Sequence, residues 1–153
     1  MMLRISWRAF LPLLLGFAAT PASAADEHAG HAVLGTVHFP VTCTPEAQQA
    51  FDEAMKLQHS FWYQAAHDSF SEVLRRDPEC VMAYWGIAMT KLTNPFSPPP
   101  EQNLADGWAA LQQARQQGAK SQREADYIAA LSEFYRDADT KDHRTRVLAY
   151  EQA

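Results

Sequence analysis

The 153-residue chain is short of the features from which most catalytic sites are built. Its glycines form no Gly-rich loop of the kind that cradles a phosphate, and no serine or cysteine stands in a nucleophile motif. No pair of carboxylates holds a position that the helical pattern makes special; Asp137-Ala-Asp139 and Asp142-His143 read as capping and solvation between helices. Only two cysteines are present, Cys43 and Cys80, and without a Cys-x-x-Cys spacing they do not suggest a redox-active pair. Basic charge is also scarce. Lys and Arg number 13 against 18 Asp and Glu, and an acidic chain lacks the basic footprint that nucleic acid or an anionic lipid surface demands. The apolar run Ala9–Ala19 covers 11 residues, well short of the roughly 20 that a spanning helix needs. Together these absences point away from an enzyme, a nucleic-acid binder and an integral membrane protein.

The short apolar run belongs to a recognisable arrangement. Arg4 and Arg8 flank a basic start, the run follows, and Pro21-Ala-Ser-Ala-Ala25 supplies small residues at a cleavage site: the three parts of a secretory signal peptide, residues 1–24. Cleavage after Ala24 or after Ala25 fits equally well. With residues 1–24 removed, 11 basic and 18 acidic side chains remain, a formal charge of −7. The mature chain is long enough for one helical domain in a periplasmic or secreted setting.

Residues 25–42 form an extended, His-containing leader without helical period, in which Val33, Val37, Phe39 and Val41 suggest a segment laid along an apolar surface. From Thr44 the pattern becomes helical. Thr44-Pro45 is an N-cap with proline in the first turn, and Phe51, Ala54, Met55 and Leu57 recur at helical spacing. Further helices are expected over about Trp62–Arg76, Cys80–Leu92 and Leu104–Gln117, the last ending at Gly118. Asn94–Pro100, with four prolines, is expected to be a loop. Ser121-x-x-Glu124 is a capping box for a fifth helix to about Tyr135. Asp142 caps a sixth, with Val147, Leu148 and Tyr150 as its apolar face. That face is cut at Ala153 with no terminating signal, so the chain is expected to be a piece of a longer helical array.

Helices of this length, paired by short turns, call for a search for repeats. With Pro78 placed at offset 32 of a 34-residue unit, Ala54, Leu57, Ala66, Phe70 and Val73 fall at offsets 8, 11, 20, 24 and 27. Val81 opens a second unit with Tyr84, Ile87 and Ala88 at offsets 4, 7 and 8. Leu111 and Ala114, and then Tyr150 and Ala153, keep the same three-residue spacing. On these offsets, and on the stretches Leu34–Cys43, His59-Ser-Phe-Trp-Tyr63 and Met82–Met89, the chain resembles tetratricopeptide repeat (TPR) proteins, in particular a group of exported bacterial ones. The resemblance implies an all-α fold of about three antiparallel helical hairpins, residues 43–153, stacked as a solenoid. It also implies a scaffold that binds a protein or peptide.

Four sets of side chains follow as candidates. Cys43 precedes the first helix and Cys80 follows the second; in an antiparallel hairpin these ends are neighbours, so a disulfide is within reach, the alternative being two free buried thiols. TPR offsets 2, 5, 9 and 12 of each first helix line the concave groove. They give Gln48, Phe51, Met55 and Gln58, then Met82, Trp85, Met89 and Leu92, with His59 at the edge. This soft apolar strip suits a peptide or helix, unless residues 33–41 or further repeats already fill it. His59 and His67 have no ligand partners at metal spacing and read as packing and solvated residues. The leader Asp26-Glu-His-Ala-Gly-His31 offers His28 and His31, with an amine-terminal variant after cleavage at Ala25, as a weak Cu, Zn or Ni site. The function expected is therefore an exported peptide- or protein-binding scaffold with no catalysis and no required cofactor. The alternative is a periplasmic metal-handling protein using the leader.

Overall fold

The computed structural model describes residues 34–94 and 97–153. The signal segment, His28, His31 and Val33 lie outside the described residues. Six helices follow in order: α1 Pro45–His59, α2 Tyr63–Arg76, α3 Val81–Lys91, α4 Glu101–Gln117, α5 Gln122–Tyr135 and α6 His143–Gln152.

Local chemistry sets most of the helix starts. The Thr44 hydroxyl accepts from the Ala47 amide at 3.3 Å, with Pro45 opening the first turn. Ser121 accepts from the Glu124 amide at 3.3 Å and Asp142 from the Thr145 amide at 3.0 Å. One start differs from expectation: α4 begins at Glu101 and not at Leu104. Pro100, with φ −56°, directly precedes the first helical residue. The first-turn amides need no intrahelical acceptor, and Glu101 suits the positive end of the helix dipole, so the helix reaches back to the last proline.

The three turns within pairs share one device. Phe61 between α1 and α2, Thr93 between α3 and α4, and Asp137 between α5 and α6 have φ of 62°, 55° and 56°, the left-handed region that non-glycine residues rarely adopt. The turn between α4 and α5 uses Gly118, at φ 83°, where the strain is absent. Each hairpin closes so that α1 packs on α2, α3 on α4 and α5 on α6. The pairs are joined by α2 against α3 and α4 against α5, and α1–α3 and α3–α5 contacts bring the odd-numbered helices into one layer.

Glycine decides how closely the pairs approach. A Cβ on Gly86 of α3 would stand 2.4 Å from the Phe70 ring of α2, and one on Gly107 of α4 would stand 2.3 Å from the Tyr135 ring of α5. Around these contacts Ala54, Ala66, Phe70, Val73, Ala88, Leu111 and Ala114 are fully buried, in line with the packing positions read from the sequence. The Tyr135 hydroxyl, buried with its ring, donates to the Ala88 carbonyl at 2.7 Å and ties α5 to α3. Burial drives its pKa far above the ordinary tyrosine value, so it remains a donor.

The last helix departs in part from its expected facing: Tyr150 packs against the core, but Val147 and Leu148 do not. Val147 and Leu148 are about two-fifths exposed, while Arg146 is buried. The Arg146 guanidinium lies 4.8 Å from the Phe134 ring centroid and donates to the Phe134 carbonyl at 3.3 Å. A long aliphatic stem carrying a delocalised cation covers α5 as an apolar residue would, and this turns Val147 and Leu148 outward. Ala153 is exposed as well. No described helix is long and apolar enough to cross a membrane.

Cys43 and Cys80 form a disulfide, their Cα atoms 4.9 Å apart. Beside it the buried Asp77 accepts from the Thr44 amide at 2.8 Å and from the Glu79 amide at 3.0 Å, so the start of α1 and the α2–α3 turn are joined twice. Closing a loop of this length restricts the unfolded chain by roughly 3–4 kcal/mol on a chain-entropy account. The double substitution Cys43→Ala/Cys80→Ala should lower unfolding stability by up to about that amount. Urea denaturation of the oxidised protein against the variant measures it; equal midpoints would show that Asp77 and packing suffice.

Candidate binding face

The inner layer formed by α1, α3 and α5 carries the side chains expected to line a groove, and they divide into two sets. Phe51, Met55, Met82 and Trp85 are between 0% and 4% exposed. They are core residues that a partner reaches only by displacing something. Gln58, His59, Met89 and Leu92, one to two turns further along α1 and α3, face open space.

The extended segment before α1 packs on Phe51 and Trp85 of the first set. The Phe39 ring stacks on Trp85 at 5.6 Å between centroids and 17° between planes; Phe51 lies 5.8 Å away and Tyr127 meets the ring edge-on at 5.3 Å. The Arg123 guanidinium closes the far side, 4.5 Å from the Phe39 centroid. The backbone of the segment is held by side chains of two helices. From α1, Asp52 accepts from the Phe39 amide at 3.0 Å. The Gln48 amide donates to the Phe39 carbonyl at 3.0 Å and accepts from the Val41 amide at 2.8 Å. From α5, Arg123 donates to the Pro40 carbonyl at 2.7 Å and Glu124 accepts from the Thr42 amide at 2.6 Å. Gln48 thus stands where a neighbouring β-strand would, satisfying a carbonyl and an amide of one extended chain. Glu124, nearly fully buried, also accepts from the Lys120 amide at 3.3 Å, so the capping-box residue serves the helix start and the strap together. His38 hydrogen-bonds Asp52 at 2.8 Å from the solvent side.

The second set borders a cleft of about 420 Å³. Phe61 from the first turn, Tyr63 from α2, Thr93, Asn94, Ser97 and Pro99 from the loop after α3, Phe134 from α5 and His143, Val147 and Tyr150 from α6 complete its walls. The size is within the range of roughly 300–1,000 Å³ typical of ligand sites. Among the described residues its lining holds no Lys, Arg, Asp or Glu. Two polar atoms in the wall are buried without a protein partner, Gln58 Oε1 and His143 Nδ1. The Gln58 Nε2 approaches the Met89 carbonyl at 3.5 Å. An unsatisfied buried acceptor costs about 1–3 kcal/mol. The His143 ring meets Phe134 edge-on at 5.8 Å, which holds it against the wall.

Arg123, Tyr127 and Phe134 were not among the residues singled out from the sequence, and His143, read there as capping and solvation, stands in the cleft wall with its Nδ1 buried. The signal that points to Tyr127 and Phe134 is their place on α5, the third inner-layer helix, where they repeat the role of the α1 and α3 residues. Of the other histidines, His59 is exposed at the rim and His67 hydrogen-bonds Asp68 at 3.3 Å. Among the described residues no group of three or more His, Cys, Asp or Glu is arranged to hold a metal ion, and the leader pair His28 and His31 lies outside them.

Two consequences can be measured. Phe39→Ala removes the ring that covers Trp85 and should cost roughly 1–3 kcal/mol, less than a fully buried ring because Phe39 is only partly buried. The accompanying sign is faster hydrogen exchange at the Trp85 indole, and an unchanged rate would mean that the strap does not seal it. The second consequence concerns acid. Hydrogen bonds from Thr145 hold the Asp142 carboxyl below its usual range. Its contribution is therefore present above the unfolded value, about 3.9, and is lost as pH falls through the folded one. The NMR signals of α6, which carries the His143 and Tyr150 wall, should show fraying in that acid window. Asp142→Asn, an equally good cap without a charge to titrate, should remove the contribution of this residue to it.

No family model matches the chain, and no curated protein or solved structure shows significant similarity to it.

Proposed function

We propose that this chain is an exported TPR-like scaffold that holds an extended segment of a protein partner on its inner helical layer, with no catalysis of its own. The observation that carries the reading is the strap. Four side chains of α1 and α5 bond the backbone of residues 39–42 while a single aromatic ring is stacked into the layer. This is how a helical groove takes an extended peptide: backbone bonds supply general affinity and one or two side-chain pockets supply choice. The adjoining cleft leaves the rest of the same layer free for a segment from another protein.

The repeat reading is supported by the packing offsets and by the layer order. Odd-numbered helices touch one another while each even-numbered helix packs on its predecessor, as stacked helix-turn-helix units require. Export is supported by the disulfide, which persists in an oxidising compartment, and by the signal-like residues 1–24.

Selection of peptides from a displayed random library against the intact protein tests the proposal. Enriched sequences should bind the unmodified chain, and Met89→Glu or Leu92→Glu should weaken them at least tenfold with an unchanged melting temperature. The loss follows from placing a charge in a cleft lined without one. Failure to enrich any sequence, or binding indifferent to both substitutions, would sink it.

A further inference from the structure

The strap fills the part of the inner layer best equipped to hold an extended chain, and the regulation inferred from this rests on the peptide-scaffold reading above. Its base is held more firmly than its middle. The Thr42 amide donates at 2.6 Å to Glu124, a carboxylate only 2% exposed, and the next residue is joined to Cys80 by the disulfide. At the other end Gly35 sits at φ 67°, and a Cβ placed there would meet nothing within 4 Å. Between these points no side chain of residues 36–42 is fully buried. The backbone of residues 39–41 is bonded by the side chains of Gln48, Asp52 and Arg123, none of them fully buried either. Water can satisfy all three when the chain lifts. The apolar floor is different. Phe51 and Trp85, 0% and 4% exposed, lie 5.8 Å and 5.6 Å from the Phe39 ring between centroids. Lifting that ring with nothing in its place would open the indole to water. The middle of the strap is therefore easier to exchange for a chain of the same chemistry than to remove.

We propose that residues 36–41 are an autoinhibitory occupant, displaced by a partner's extended segment that carries an aromatic residue, while Thr42 and Cys43 stay in place as the hinge. The seated strap shows what that segment has to offer. Its ring replaces Phe39 between Trp85 and the Arg123 guanidinium. The amide of the ring residue donates to Asp52 and its carbonyl accepts from Gln48. The next carbonyl accepts from Arg123, and the amide two residues after the ring donates to Gln48 Oε1. Position 40 is filled by proline, which has no N–H to place, and its side chain is exposed, so that position is not read. The tethered strap competes at the millimolar effective concentration of a short linker, and a segment without the ring does not displace it.

The test adds the peptide acetyl-Thr-Val-His-Phe-Pro-Val-amide, the sequence of residues 36–41, to the intact protein and follows the Trp85 indole N–H by NMR. It should bind Phe39→Ala protein at least tenfold more tightly than the unmodified protein, because the internal competitor is weakened and the floor is not. Slow hydrogen exchange at the indole should return with it. The same peptide with alanine for phenylalanine should not bind where the parent saturates. N-methylation of its valine after proline removes the amide that Gln48 accepts and should weaken it about tenfold, one lost hydrogen bond. Equal affinity for the two proteins, or no saturable binding to Phe39→Ala protein, would overturn the proposal. Native-state hydrogen exchange on the unmodified protein depends on no variant folding. The Phe39 and Val41 amides should open well below the free energy of global unfolding and the Thr42 amide close to it; strap amides that exchange only on global unfolding would also overturn the proposal. So would a dimer of the unmodified protein that Phe39→Ala abolishes, since the occupant would then be a second copy's strap. If library peptides bind at Met89 and Leu92 with the strap amides still protected, this inference fails while the scaffold reading stands. If the strap exchanges as described and no library peptide is enriched, the scaffold reading fails and the displaceable strap remains.

Discussion

The spacing between neighbouring helix pairs is set by two rings that lie where a side chain is missing. Phe70 reaches from α2 onto Gly86 of α3, and Tyr135 reaches from α5 onto Gly107 of α4. A methyl group at either glycine would overlap ring carbons held in a buried core, where little can move aside. Because these contacts bring the pairs close, α3 can touch both α1 and α5, and the Tyr135 hydroxyl can reach the Ala88 carbonyl across that layer. The inner layer is therefore a product of the two notches. If the pairs stood further apart, Gln48 and Asp52 on α1 would no longer share one extended segment with Arg123 and Glu124 on α5.

The strap and the disulfide act on the same region by different means. The disulfide fixes Cys43 against the start of α3 and so sets where the extended segment leaves the helical body. From there the segment is held by bonds to side chains and by one stacked ring, each modest alone. A covalently tethered segment of this kind rebinds at an effective concentration that short linkers place in the millimolar range. A partner competing for the Phe39 site has to overcome that advantage. Among the described residues, the strap covers one half of the inner layer and the cleft borders the other.

Much of the helical framework was legible because its determinants are local. Thr44-Pro45, Ser121-x-x-Glu124 and Asp142 cap helices through atoms two or three residues away, and the alanines at hairpin offsets have no other use than close packing. The disulfide was legible by one further step, since a hairpin necessarily brings its two open ends together. The strap was half legible: alternating Val37, Phe39 and Val41 announced an apolar surface without saying which. Its partners Arg123 and Glu124 are 83 and 82 residues away from Pro40 and Thr42 in sequence, and no local pattern encodes such a pairing. The facing of α6 was right at Tyr150 and misread at Val147 and Leu148, for a different reason. Hydropathy counts arginine as polar, whereas Arg146 packs its stem and its cation on Phe134 and is buried.

The open cleft was invisible in the sequence because a depression is defined by what several elements leave unfilled. It borders three pairs at once: Gln58 and Tyr63 from the first, Met89 and Leu92 from the second, Phe134 and His143 from the third. Its entrance runs past Phe61, an aromatic residue held at positive φ and two-thirds exposed. Left-handed backbone at a bulky residue costs of order 1 kcal/mol or more, and an exposed ring recovers little of that by burial. The corresponding turns of the other two pairs meet the same backbone demand with Thr93 and Asp137, short polar residues. At the mouth of the cleft the turn carries a ring instead, where an apolar occupant would bury it. The strain at Phe61 and the unsatisfied Gln58 acceptor are two separate costs carried by the helices that border the cleft.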